Sequence, residues 1–578
     1  MASGTVNGSN NSSGSANHSH SLEYLDMVSN IETVSISSHK KSSLVGSTPF
    51  DPKKSRVTVQ RPGEQKAYQC GPNSRKNKKA DSNCMKEINR CRDECSPRLD
   101  LNNTQLHVLP SNIRDLGSHL RELSLYTNKL SNLPNEIGAL TQLNILMVAE
   151  NSLTSLPDTL SECTQLRILD VRHNKLCEIP PVVYRMQSLV QIYLSFNRIR
   201  EVGKDIGRLT KLQMLNLRAN KIHSLPSIPG ICELKQLTSL DVAKNHLESL
   251  PKEIGQCENL TEIFVQTNEL SSLPESIGDL SHLERLGITY NRLEALPASL
   301  AHCTRLTDLS IENNKISQLP KDLLENLTNL SSLSLSRNCF TVFPPGRPVQ
   351  FTTVQDISMD HNQITKIPFG IFSEATHLAK LSMTNNQLAA LPPDMKTWTS
   401  LMELNLGSNQ LTKLPDDIDH LINLEVLILS SNQLKRIPPS IQELRKLRVL
   451  DLEENKLDCL PTEIGNLPEL QRLIVQTNNL TILPASIGNL HNLTFLKVGE
   501  NDLQSLTPAI GKLSNLETLF LNDNYNLHDL PSELAMCRKL QIMSIENCPL
   551  SKIPNEVVSL GPTLVMQYLS LQNSYGQG

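Results

Sequence analysis

From Leu99 onwards the chain alternates a short apolar–polar–apolar run with a polar bend, and it keeps that beat almost to its end. Residues 401–434 carry the phrase most plainly, LMELNLGSNQLTKLPDDIDHLINLEVLILSSNQL. Leu404-x-Leu406 is followed by Asn409, Leu411, Leu414 and Pro415, and the phrase restarts at Leu427-x-Leu429 with Asn432 and Leu434. In Leu-x-Leu the two leucines share one face of a strand, because side chains alternate with period two. The asparagine closes the strand, where its amide can bond the backbone of the bend and of the neighbouring turn. Leu-x-x-Leu-Pro then turns the chain, and an Ile-Gly-x-Leu-x-x-Leu stretch returns it along the opposite side.

The asparagine is a ruler. It recurs eighteen times between Asn128 and Asn524, mostly 23 residues apart; the step from Asn220 to Asn245 is 25, and three steps from Asn314 to Asn386 are 24. Thr104 and Cys548 take its place in the two end members, which makes twenty turns. A single turn cannot bury its leucines, whereas a stack of turns can. The period therefore predicts an α/β leucine-rich-repeat solenoid (horseshoe) of about twenty repeats with a parallel β-sheet on the concave face, preceded by a disordered tail. At about 4.8 Å per strand the inner wall would follow an arc of about 100 Å.

Composition divides the rest of the chain. Residues 1–82 are expected to be a disordered tail, rich in Ser and Asn and then basic, with too few apolar residues to offset the entropy of folding. Residues 83–97 read as a capping helix with Met85, Ile88 and Cys91 on one face. Residues 98–554 are the repeats, and 555–578 a C-terminal cap and tail. Two places break the rhythm: the loop PSIPGICEL after His223-Ser224-Leu225, and residues 339–351, CFTVFPPGRPVQF, where phenylalanines replace leucines. Both are expected to alter the curvature.

A net charge of −4 argues against nucleic acid as a partner of the whole chain. The start MASGTVNGSNNSSGSANHSH carries neither a basic nor an apolar run, and no stretch reaches membrane-spanning length. The expectation is a cytoplasmic protein without direct membrane insertion, with Arg75–Lys79 (RKNKK) as a candidate nuclear-import patch. Cys163, Cys257, Cys303 and Cys537 share one phase of the repeat, so they are expected to be small buried hydrophobes rather than disulfide partners. Cys84, Cys91 and Cys95 leave a disulfide cap open as an alternative.

The chemistry-bearing residues lie on the outward strand positions. Turns two to nine supply Glu122, Tyr126, Glu150, Asp170, Arg172, Tyr193, Arg218, Arg285 and Tyr290, an aromatic and arginine composition typical of interface hot spots. Later turns are more acidic, with Asp451, Glu453 and Glu454 clustered in one of them. Asp170, between inward Leu169 and Val171, is expected to project from the sheet, so that Asp170→Lys would change stability by no more than about 0.5 kcal/mol. No Gly-rich phosphate loop and no zinc-like His/Cys spacing is present, so no catalytic, cofactor-binding or metal residues are assigned.

At Arg167–Leu176 (RILDVRHNKL), Ile367–Phe372 (IPFGIF), Asp451–Leu460 (DLEENKLDCL) and Gln541–Leu550 (QIMSIENCPL), the chain resembles the Shoc-two (Sur-eight) family of leucine-rich Ras–RAF scaffolds. The likeness covers roughly residues 84–571. It implies a non-enzymatic scaffold that holds a Ras-family GTPase in its GTP form, M-Ras among them, together with the catalytic subunit of protein phosphatase one. RAF kinase is then the substrate of the complex, its dephosphorylation raises MAP-kinase output, and Ras recruits the assembly to the membrane. By the resemblance Arg172, Arg218, Arg285 and Tyr290 belong to the Ras side, and Glu150, Asp170 and Glu454 to complex formation. Arg56-Val57-Thr58-Val59 approaches a phosphatase-docking peptide, with Val59 where that motif carries Phe or Trp. A generic cytoplasmic leucine-rich adaptor for polarity or ubiquitin-ligase complexes is the alternative.

Overall fold

The computed structural model describes the backbone of residues 73–576 and the side chains of residues 82–573. Twenty three-residue strands, from β1 (Arg98–Asp100) to β20 (Ile542–Ser544), form one parallel sheet. Each strand pairs with its neighbours in sequence, with the central leucines in register, as in Leu404 opposite Leu427 opposite Leu450. Those leucines are wholly buried, and the core they form runs without interruption from Cys84 to Leu569. The stretches that return the chain are mostly 3₁₀ helices of three to six residues, such as Asn135–Ala139 entered from Pro134; one short α-helix, α2 (Leu323–Asn326), replaces them in the tenth turn. A glycine lets adjacent returns lie close. A Cβ on Gly138 would sit 2.5 Å from the carbonyl oxygen of Thr159 in the next turn.

The ladder asparagines do what their spacing implied. Asn432 donates through Nδ2 to the carbonyls of Leu406 (3.0 Å) and Leu429 (3.0 Å), and its Oδ1 accepts from the backbone N–H of Leu411 (3.0 Å). One side chain thus ties its own strand end to the preceding turn. The residue before each of them adopts a left-handed conformation, with φ near +55° in Thr127, Phe196 and Tyr290 alike. For a non-glycine residue this is uncommon, and its recurrence shows that the bend after the strand is the same throughout.

A helix covers the first turn. Helix α1 spans Asn73–Asp93, ten residues longer at its start than the amphipathic pattern marked. Its buried face is Cys84, Ile88 and Cys91, whereas Met85 is exposed, so Cys84 and not Met85 completes the stripe. Ile88 and Cys91 lie on the expected face, and only Met85 does not. At the far end the one-turn α3 (Asn555–Val558) leads into α4 (Pro562–Gly576), which seals the last turn with Val565 and Leu569.

Among the described residues no disulfide joins the cysteines of the repeats. Cys163, Cys257, Cys303 and Cys537 each donate to an isoleucine carbonyl of the preceding turn at 3.2–3.3 Å. Burial pushes Cys163 and Cys257 up to about 12, so these thiols stay protonated and serve as core. Cys84 and Cys91 are buried thiols as well, and no cap disulfide joins them to Cys95.

The phenylalanine-rich break is a second core motif. Phe343 and Phe351 of one turn, Phe372 of the next and Trp398 of the one after pack ring on ring, with Phe372 5.3 Å from both Phe351 and Trp398. Larger rings fill the space that the irregular backbone opens between returns.

Candidate functional site

On the exposed face of the sheet the second to fifth turns carry two adjacent side-chain groups, Tyr126 with Glu150 and Asp170 with Arg172 and Tyr193. The Tyr126 hydroxyl donates to Glu150 Oε1 (2.5 Å), and Thr127 Oγ1 donates to Glu150 Oε2 (3.0 Å). Burial, reinforced by Glu150, pushes Tyr126 up to about 12, so the phenol remains a donor at neutral pH. In the next turn Arg172 grips Asp170 with two parallel bonds, Nε to Oδ1 at 3.0 Å and Nη2 to Oδ2 at 2.8 Å. Such paired bonds fix both planes. The guanidinium carbon lies 5.3 Å from the centre of the Tyr193 ring. Burial works against the Arg172 cation, but Asp170, with Tyr193 and Tyr126, more than compensates and raises its pKa.

This corrects the expectation for Asp170. It does face the exposed side of the sheet, as period two requires, yet it is only 3% exposed. Met147 and Tyr193 flank it in register on either side, and Arg172 covers it. Its carboxylate holds Arg172 in place; Tyr193 is buried like Asp170, and the guanidinium is the more exposed part of the group. Beside them, the His173 and Phe196 rings stack at 4.2 Å, both from the left-handed position of their turns.

The remaining residues lie apart. Glu122 is held by Arg98 at 2.7 Å. Arg218 carries no side-chain ion pair with any described residue and adjoins Asp241, whose carboxyl burial pushes up. Arg285 pairs with Glu262 (3.2 Å) and lies over Phe264 at 5.3 Å, while Tyr290 is 49% exposed. Asp451, Glu453 and Glu454 occupy the sixteenth turn, a dozen turns from the Arg172 pair, so the structure does not merge the two groups. There Lys497 binds Glu453 at 2.8 Å from two turns away, Ser431 donates to Glu454 at 2.6 Å, and burial pushes Asp451 up. Arg98, Glu262, Phe495 and Phe520 were missed as members of the face. Arg472 lies 4.1 Å over the Phe495 ring, which packs 5.8 Å from Phe520. Their signal was present, since Phe495 and Phe520 occupy outward strand positions. Residues 56–59 lie outside the described residues. Among the described residues no group of three or more His, Cys, Asp or Glu side chains is arranged to hold a metal ion.

Family models for leucine-rich repeats match residues 118–176, 235–293, 304–364, 376–434, 399–457 and 440–525, together more than half of the chain. The chain belongs to the leucine-rich-repeat proteins. This leucine-rich-repeat chain is 63% identical over 54 residues to the leucine-rich repeat protein soc-2 homolog of Nematostella vectensis. It is 59% identical over 54 residues to SHOC-2 of Danio rerio, and 60% identical over 52 residues to soc-2 of Caenorhabditis elegans. Each match spans 9% of this chain and 9–10% of the relative's length. Among solved structures, a leucine-rich-repeat protein of Leptospira interrogans superposes with a TM-score of 0.56 at 28% identity, over 75% of this chain and 97% of that one. The plant peptide hormone receptor RGFR1, in complex with RGF2, gives 0.64 at 29% identity, over 79% and 81%.

Proposed function

We propose that the chain is a non-enzymatic scaffold whose exposed sheet face binds a GTP-loaded Ras-type GTPase and the catalytic subunit of protein phosphatase one, with RAF kinase as the substrate of the assembly. The observation that carries the reading is the Asp170–Arg172–Tyr193 arrangement on that face, in a chain that shares segments with proteins of the soc-2 type. A guanidinium held by two bonds and stacked on a ring has lost its rotational freedom before any partner arrives. Preorganisation of this kind lowers the entropic cost of association. The acidic sixteenth turn, a dozen turns away, leaves room on the same wall for a second partner with a basic surface.

Titration with a purified Ras-type GTPase tests the first half. The switch segments of such GTPases are ordered by the γ-phosphate, so the GTP form is expected to bind at least about tenfold more tightly than the GDP form. Equal affinity for the two forms would favour a generic leucine-rich adaptor. On this reading the protein is cytoplasmic and reaches the membrane with its GTPase.

A further inference from the structure

The position immediately after each ladder residue forms a row along the edge where the strands end. In turns two to ten the row reads Lys129, Ser152, Lys175, Arg198, Lys221, His246, Glu269, Arg292 and Lys315. Backbone bonds from Lys175 to Leu153, Arg198 to Leu176 and Lys221 to Ile199, at 2.8–2.9 Å, set these residues side by side in successive turns. From the twelfth to the fifteenth turn the same row is Gln363, Gln387, Gln410 and Gln433.

The two sides of this edge treat their cations differently. On the sheet face most are neutralised: Arg172 by Asp170, Arg285 by Glu262, Arg337 by Glu312, Lys380 by Glu403 and Lys497 by Glu453, while Arg218 adjoins Asp241 and Arg472 lies over Phe495. In the edge row Glu269 answers only Arg292 (2.9 Å) and His246 (3.1 Å). Lys175, Arg198 and Lys221 are exposed and form no ion pair with any described residue. Like charges in adjacent cross-strand positions repel and destabilise a sheet. No ion pair with a described residue offsets that repulsion at Lys175, Arg198 and Lys221, whereas an external anion would.

We infer that this edge is a docking surface for an anionic lipid membrane. The row between Lys129 and Lys315, with the residues two positions further on, contains no Phe, Tyr or Trp on which a nucleic-acid base would stack. It also presents none of the exposed large hydrophobic residues that anchor a protein partner. What remains is positive charge at three successive positions, Lys175, Arg198 and Lys221, on an outer edge that a flat surface reaches without entering the concave wall. Juxtamembrane lysines and arginines bind anionic leaflets in this way, without insertion. The inference holds whether or not the sheet face takes a GTPase.

Co-sedimentation of the full chain with phosphatidylcholine vesicles, with and without phosphatidylserine, tests it. The chain is expected to partition onto the phosphatidylserine vesicles, and less so as salt is raised. The triple variant K175Q/R198Q/K221Q removes side chains that make no ion pair with a described residue and repel one another, so its melting temperature should be no lower than that of the unaltered chain. Its partition coefficient should fall about a hundredfold, roughly fivefold for each cation. Adding Q387K/Q410K/Q433K to that variant extends the row along the same edge and should restore most of the binding. Glycerophosphoserine, the soluble headgroup, should not displace the chain. Partition of the triple variant within about twofold of the unaltered chain would overturn the inference, because the basic residues of 51–80 are identical in both. Displacement by glycerophosphoserine would indicate a small-ligand site, and binding of polyglutamate but not of vesicles an acidic protein partner; either result also overturns it.

Discussion

Asp170→Lys is expected to lower the stability of the fold by about 3 kcal/mol or more, as read by the guanidinium midpoint or the melting temperature. Breaking a buried ion pair by removing one member typically costs about 3–5 kcal/mol, because the other charge is left without compensation. Here that charge is Arg172, whose side chain is only 21% exposed, and the new ammonium adds a second cation beside it. Asp170→Asn keeps an acceptor for the guanidinium and should cost less than the lysine. The charge-swapped pair D170R/R172D should recover part of the loss. A stable Asp170→Lys protein that has lost only partner binding would show that the carboxylate is a contact residue and not the support of one.

Phe372→Ala is expected to cost about 3–5 kcal/mol, the usual range for removing a buried aromatic ring. Phe372 is wholly buried and touches the rings of Phe343, Phe351 and Trp398, so no neighbour can close the gap without leaving its own ring contacts. In a stack of repeats the damage falls first on adjacent turns. Trp398 is the chain's single tryptophan and lies in this cluster, so its emission reports the site directly. The expected result is an emission transition at lower denaturant than the loss of bulk circular dichroism. Coincident and unshifted transitions would mean that the cluster is not a separate support of the irregular turns.

The repeat was legible because its two constraints are strictly local. Period two puts Leu404 and Leu406 on one face, and a 23-residue step places Asn432 where Leu411 offers a free N–H. The left-handed residue before each asparagine went unread, although the signal was there. That position holds Ala, Ser, Thr, Asn, Asp, Glu, Lys, Arg, His, Phe or Tyr but never Val, Ile or Leu, so polar residues dominate where the backbone is left-handed. Asp170 shows the limit of periodicity. The period gives the side of the sheet, but burial depends on Met147, Tyr193 and Arg172, two of which belong to other turns. The edge cations were present in the sequence as well. Their significance appears only in the structure, where most sheet-face cations are paired and Lys175, Arg198 and Lys221 form no ion pair with a described residue.

A single wall that holds two proteins at once makes the central claim. Sedimentation velocity on the purified chain, a Ras-type GTPase and the catalytic subunit of protein phosphatase one tests it most directly. With the GTPase in its GTP form, all three are expected to sediment as one species with one copy of each; with GDP bound, that species should be absent. Two binary complexes that exclude one another, or a ternary species indifferent to the nucleotide, would contradict the account.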